Sequence, residues 1–247
     1  MRRLAASVLG VAGILAGALL APPALSADRD ALRQIVEEQC LVHWRQRHDP
    51  APCEQVDPGY AVLADRKGGA HFLLIPTTDI AGIESPQLLE TDAPNYFSSA
   101  WRARDRLAAA AGRRIPRSAV GLAVNPAHAR TQDQLHIHIE CLRPDVFYAL
   151  KQAGEGITTR WSPLRIGGAR FDALRIPGED LNGANPFRLL AERILAAQGP
   201  QAGRVMGDYT LVVAGMQFES GPGFVLLAGT DRAGELLLDS TCSVAGA

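Results

Sequence analysis

The sequence predicts an α+β domain built on an antiparallel sheet, and three observations carry that prediction. Short apolar runs come in pairs around glycine-bearing turns: "YAVLAD" and "HFLLIP" flank "RKGG", and "DYTLVVAGMQ" and "GFVLLAGT" flank "FESGPG". Between them lie stretches with apolar residues at helical spacing rather than the uninterrupted strand–helix alternation of a parallel sheet. No linker-like stretch divides the 247 residues, and 47% hydrophobic content is enough for one sizeable core. The net charge is −1 and no long basic run occurs, which argues against a nucleic-acid-binding surface.

The elements follow in order. Met1-Arg2-Arg3 precedes an uncharged apolar run from Leu4 to Ala21, then "PPALSA" and the charged "DRD". Residues 1–27 therefore read as a signal peptide, with Ala24-Leu25-Ser26 as a small-x-small cleavage site, or as a single-pass membrane anchor. In both cases Arg2 and Arg3 stay cytoplasmic and residues 28–247 form one exported domain. Asp28 to Val42 is a predicted helix, with Asp28 or Asp30 as cap and Leu32, Ile35, Val36 and Cys40 inward. A proline-rich connection leads to the first hairpin. A second helix spans Asn95 to Ala111 and stops at Gly112. "SAVGLAVN" and "DQLHIHIECL" are strands joined by the loop "PAHARTQ", and Asp145 to Gln152 is helical after Pro144. Gly154 to Gly183 reads as glycine-rich and irregular. Asn185-Pro186 opens a last helix to Gln198, with Gly199 as its stop, and the second hairpin closes the chain.

Four cysteines stand in the exported part, none in a CxxC pair. Three disulfide connectivities are possible, and four buried thiols are the alternative. Cys40 and Cys53 are near in sequence across a polar loop and are paired here, which leaves Cys141 with Cys242.

Chemistry concentrates in "DQLHIHIECL". Strand alternation puts Gln134, His136, His138 and Glu140 on one face and Leu135, Ile137, Ile139 and Cys141 on the other. An HxH pair on a strand has three readings. It is a metal pair, its Cα atoms about 6–7 Å apart and completed by Glu140, His128 or His71. It is two surface histidines on an edge strand. Or one imidazole is a nucleophile toward phosphorus, a task suited to a base that is neutral near pH 7.

The ordered series "VN" (Val124-Asn125), "RTQ" (130–132) and "QLHIHI" (134–139) resembles the histidine triad (HIT) superfamily. With the exported N-terminus and the stretches "EEQCL", "APC", "ESPQLL", "HIHIECLRPDV" and "TTRW", it resembles the CDP-diacylglycerol pyrophosphatase family from Leu32 onward, all four cysteines included. The resemblance implies a HIT-like catalytic domain that hydrolyses CDP-diacylglycerol to CMP and phosphatidate, with no cofactor and no metal ion. It implies His136 as the nucleophile that becomes covalently nucleotidylated, and His138 as its helper. Gln134 stands where the superfamily has its first histidine, so that position donates and accepts hydrogen bonds without carrying charge. Asn125 is expected at the ribose or the loop, and Thr131 and Gln132 at the phosphates. Arg130, Arg143 and Arg160 are the candidate phosphate cations. The partners implied are the nucleotide lipid and a membrane surface, at the bacterial inner membrane on its periplasmic side. The competing expectation is a periplasmic metal-binding or nucleotide-binding module that uses His136 and His138 without turnover.

Overall fold

The computed structural model describes residues 28–198 and 205–246. The expected signal or anchor segment, 1–27, and the expected Gly199 helix stop lie outside the described residues. Among those residues one antiparallel sheet carries ten strands: β1 (Gln55–Asp57), β2 (Tyr60–Ala64), β3 (Phe72–Pro76), β4 (Val120–Val124), β5 (Ile137–Leu142), β6 (Ser162–Ile166), β7 (Ala169–Pro177), β8 (Thr210–Phe218), β9 (Gly221–Gly229) and β10 (Leu238–Asp239). The order across the sheet is β1-β2-β3-β5-β4-β8-β9-β7-β6, with β10 also paired to β5. The α+β, antiparallel architecture expected from the sequence is therefore what the chain adopts.

Helices cover both faces. On one face α3 (Tyr96–Ala103), α4 (Arg106–Ala111) and α6 (Pro186–Gln198) close the main core, in which Phe97, Trp101, Phe187 and Leu190 meet Leu74, Leu122, Ile137 and Ile139. Asn95 and Asn185 cap α3 and α6 by accepting backbone N–H bonds from Ser98 and Phe187. The opposite face has two separate covers. The N-terminal helix, α1 (Ala31–Gln34) continuing through a π-helical stretch Ile35–Cys40 into α2 (Leu41–Arg47), packs Leu32, Val36 and Cys40 on Ala61, Leu63, Leu73 and Ile75. Further along, α5 (Pro144–Ala153) packs Val146 and Leu150 with Leu142, Val212 and Phe171. Between these two covers the sheet presents polar side chains. Two disulfides, Cys40–Cys53 and Cys141–Cys242, join the cysteines as paired from the sequence.

Three elements differ from the sequence reading. The supposedly irregular stretch 154–183 holds the β6–β7 hairpin. Gly167 and Gly168, with φ of 56° and 82°, supply the tight turn that two-residue hairpins require. The 95–111 helix is broken between Ala103 and Arg106. Finally, β5 begins at Ile137 rather than near Asp133, because the preceding residues bond to the loop beyond β3. Leu135 N–H donates to the Ile80 carbonyl, and the Gln134 amide donates to the Pro76 and Thr78 carbonyls, each at 2.9 Å. The alternation survives: Leu135, Ile137, Ile139 and Cys141 all enter the main core.

Candidate active site

β5 lies between β3 and β4, with Leu73 and Ala123 on either side of His138. That central position excludes the edge-strand reading of the two histidines. His138 and Glu140 are buried, at 4% and 6% exposure, while His136 is partly exposed just before the strand.

Nδ1 of His136 lies 2.7 Å from the Gln134 carbonyl oxygen. A carbonyl only accepts, so Nδ1 carries the proton and Nε2 carries the lone pair. Burial lowers the His136 pKa, against the upward pull of that bond and of the Glu235 carboxylate, so the ring is neutral at pH 7. The His136 and His138 rings meet edge to face at 5.1 Å. His138 Nδ1 is hydrogen-bonded to His71 Nε2 at 3.0 Å, while its Nε2 is buried without a hydrogen-bond partner, 3.5 Å from a Glu235 carboxylate oxygen. Burial, with the neighbouring rings, pushes His138 well below the usual histidine range.

These rings open on a cleft of about 410 Å³. One wall is apolar: Leu32 and Ile35 of the N-terminal helix with Leu63 and Leu73 of the hairpin. The other is polar: Asn125, Thr131 and Gln132 from the β4–β5 loop, His136 and His138, Glu235, and Asp65-Arg66-Lys67 from the first hairpin turn. The structure thus gathers Asn125, Thr131, Gln132, His136 and His138. Gln134 sits behind His136, bordering a small recess of about 10 Å³ together with Arg130.

The three candidate arginines are placed otherwise. Arg130 is tied to Glu84 at 2.7 Å and Asp133 at 3.1 Å, so two carboxylates already neutralise it. Arg143 binds Asp145 and the Leu236 carbonyl beyond the far end of β5, and does not line the cleft. Arg160 is exposed and also outside it. For Arg143, nearness in sequence to β5 is not nearness to the cleft, since a residue at the end of a strand is carried away from a site at its start. The cations that do line the cleft, Arg66 and Lys67, come from a turn distant in sequence. Antiparallel pairing of that hairpin with β5, Phe72 opposite Ile139, was the signal that could have found them. Glu235 had no such signal.

The same register sets His71 beside Glu140. Its Nε2 is 3.2 Å from a Glu140 oxygen, and the two side chains are buried. Burial, reinforced by the Glu235 and Asp65 carboxylates, raises the Glu140 pKa to about 8. His71, His138 and Glu140 have donor atoms within 4.8 Å of one another, close enough for an ion. Here the trio is hydrogen-bonded within itself: a proton lies between the two ring nitrogens, and an ion binding there would displace it together with the proton of Glu140. Among the described residues His136 stands outside that trio, and His128 is exposed on its loop.

Comparison with known proteins agrees with the residue pattern. A family model described as CDP-diacylglycerol pyrophosphatase matches residues 27–246. A Yersinia pestis protein named CDP-diacylglycerol pyrophosphatase is 42% identical over 229 residues, which span 88% of this chain and 86% of that protein.

Proposed function

The chain belongs to the CDP-diacylglycerol pyrophosphatase family, and from that membership we propose that it is a hydrolase cleaving the diphosphate of CDP-diacylglycerol through a cytidylyl intermediate on His136. Nε2 of His136 attacks the phosphorus next to cytidine and phosphatidate leaves. Water then attacks the same phosphorus and CMP leaves. The observation that carries this reading is the His136 imidazole in the cleft, neutral and held with its lone pair on Nε2 by the Gln134 carbonyl. Gln134 suits the first triad position as an uncharged brace, spending its amide on two carbonyls behind the nucleophile.

Charge on the phosphoryl oxygens is met by Arg66 and Lys67, with Thr131, Gln132 and the His138 ring as neutral contacts. Asn125 acts on the loop side, where its Oδ1 accepts the Glu235 N–H at 3.1 Å. A cleft of this size accepts a nucleotide and its diphosphate, and the acyl chains remain outside in the lipid. Residues 1–27 deliver the domain across the inner membrane and hold it, or leave it, on the periplasmic side. The apolar run after two arginines and the two disulfides support this. Among the described residues no helix is long and apolar enough to cross a membrane.

The test uses CDP-diacylglycerol labelled at the cytidine-side phosphate, with a chelator present. Wild type should release CMP and, on rapid quenching, show label on His136. His136→Ala should lose both, a drop of at least about 10⁴-fold. The acid limb of the wild-type profile should fall below pH 6.5, the direction in which burial moves His136. Release of CMP by His136→Ala at an undiminished rate would dispose of the covalent route.

A further inference from the structure

We infer that Glu235 is a catalytic residue of the second half-reaction, the general base toward the water that frees CMP from His136. The inference rests on the covalent reading above. Glu235 lies on the 3-10 turn Gly234–Leu237 and lines the cleft with His136 and His138. Its position is built rather than incidental, because Asn125, buried at the end of β4, accepts its backbone N–H.

Two features of the cleft call for such a group. The first is the unpartnered Nε2 of His138, 3.5 Å from the Glu235 carboxylate. With Nδ1 of His138 bonded to His71, a proton on that covered Nε2 faces the carboxylate and orients it as an acceptor on the cleft wall. The second is electrostatic. A carboxylate beside a diphosphate repels it, more strongly in a protein cleft than in water. Glu235 therefore opposes substrate binding, and proton acceptance is the task for which a carboxylate there is suited.

The water oxygen bonds to phosphorus as the P–Nε2 bond breaks, and Nε2 recovers its electron pair. One water proton passes to the Glu235 carboxylate and then to solvent, and the oxygen becomes part of the CMP phosphate. The first half-reaction, in which phosphatidate departs, needs no base at this position.

Rapid-quench kinetics of Glu235→Gln separate the halves. The variant should release one phosphatidate per site no more slowly than wild type and then stall, with label accumulating on His136 and steady-state CMP release down about 10²–10⁴-fold. The burst amplitude counts folded sites directly. Glu235→Asp, which keeps the carboxylate, should turn over faster than Glu235→Gln. The inference is overturned if Glu235→Gln releases CMP at the wild-type rate, or if its phosphatidate burst slows as much as CMP release. A wild type that never carries label would overturn the covalent reading and this inference together. A normal wild-type adduct with an unimpaired Glu235→Gln overturns this inference alone.

Discussion

Glu140 shows how a single side chain takes its character from what lies opposite. In the sequence it is the last polar residue of an alternating strand and shares a face with the two histidines. In the fold it is 6% exposed, with His71 on β3's flank against it. Its pKa rises from 4.5 to about 8, so the folded state holds a proton that the unfolded chain has already released. The resulting cost is absent below pH 4.5, grows as pH rises toward 8, and is constant above. Glu140→Gln is uncharged throughout and should be more stable than wild type at pH 9, by an amount on the order of a few kcal/mol at 1.36 kcal/mol per pKa unit. The advantage should shrink to under about 1 kcal/mol at pH 5. His71 and His138, both lowered chiefly by burial, add a separate loss as pH falls below 6.5, which the variant retains. Urea unfolding of both proteins at pH 5, 7 and 9 measures this. A stability difference that does not change with pH would contradict it.

Elements written by side-chain alternation were legible, and elements written by backbone contacts were not. The core-facing residues of β5 could be assigned because period-two patterning is a local signal. The start of β5 could not, because bonds to Pro76, Thr78 and Ile80 set it. The β6–β7 hairpin escapes a local reading because "RIGGAR" lies in a glycine-rich stretch that reads as irregular, although its two glycines make the turn. The Gly234–Leu237 turn was equally silent, yet it carries Glu235. A Cβ on Gly234 would lie 2.4 Å from Thr210 Oγ1 and 3.2 Å from the Ala123 Cβ. Thr210 is fully buried and donates to the Val124 carbonyl at 2.6 Å, so it cannot turn aside freely. Gly234→Ala should push the turn outward and take Glu235 with it. The expected cost is about 1–3 kcal/mol of stability, with slower CMP release at an unchanged phosphatidate burst. Because both changes act through one carboxylate, Gly234→Ala with Glu235→Gln should release CMP no more slowly than Glu235→Gln alone. Additive losses would show that the turn acts on the site by another route.

The cleft as a whole draws on residues 31–35, 63–67, 73, 125–138 and 235, and no local pattern announces such a gathering. What the sequence did disclose at that range was the pair of covalent ties, since cysteines report on distant contacts without requiring the fold between them. The two ties are unequal. Cys40–Cys53 closes 13 residues and steadies the end of the N-terminal helix, whereas Cys141–Cys242 closes 101 and binds the histidine-bearing strand to the chain's last turn. Restricting the unfolded chain contributes about 3 kcal/mol for the short loop and about 4.7 kcal/mol for the long one. The long tie also closes the segment that bears Glu235 and β10, which pairs with β5 at Leu142 and Cys141. Replacing Cys141 and Cys242 together by Ala should therefore lower Tm more than replacing Cys40 and Cys53, and should slow CMP release where the short-loop variant does not. Thermal unfolding and steady-state turnover of the two double variants decide the matter. Equal losses in both would mean that the turn around Cys242 is held in place by packing alone, and that its link to the histidine-bearing strand is dispensable to the site.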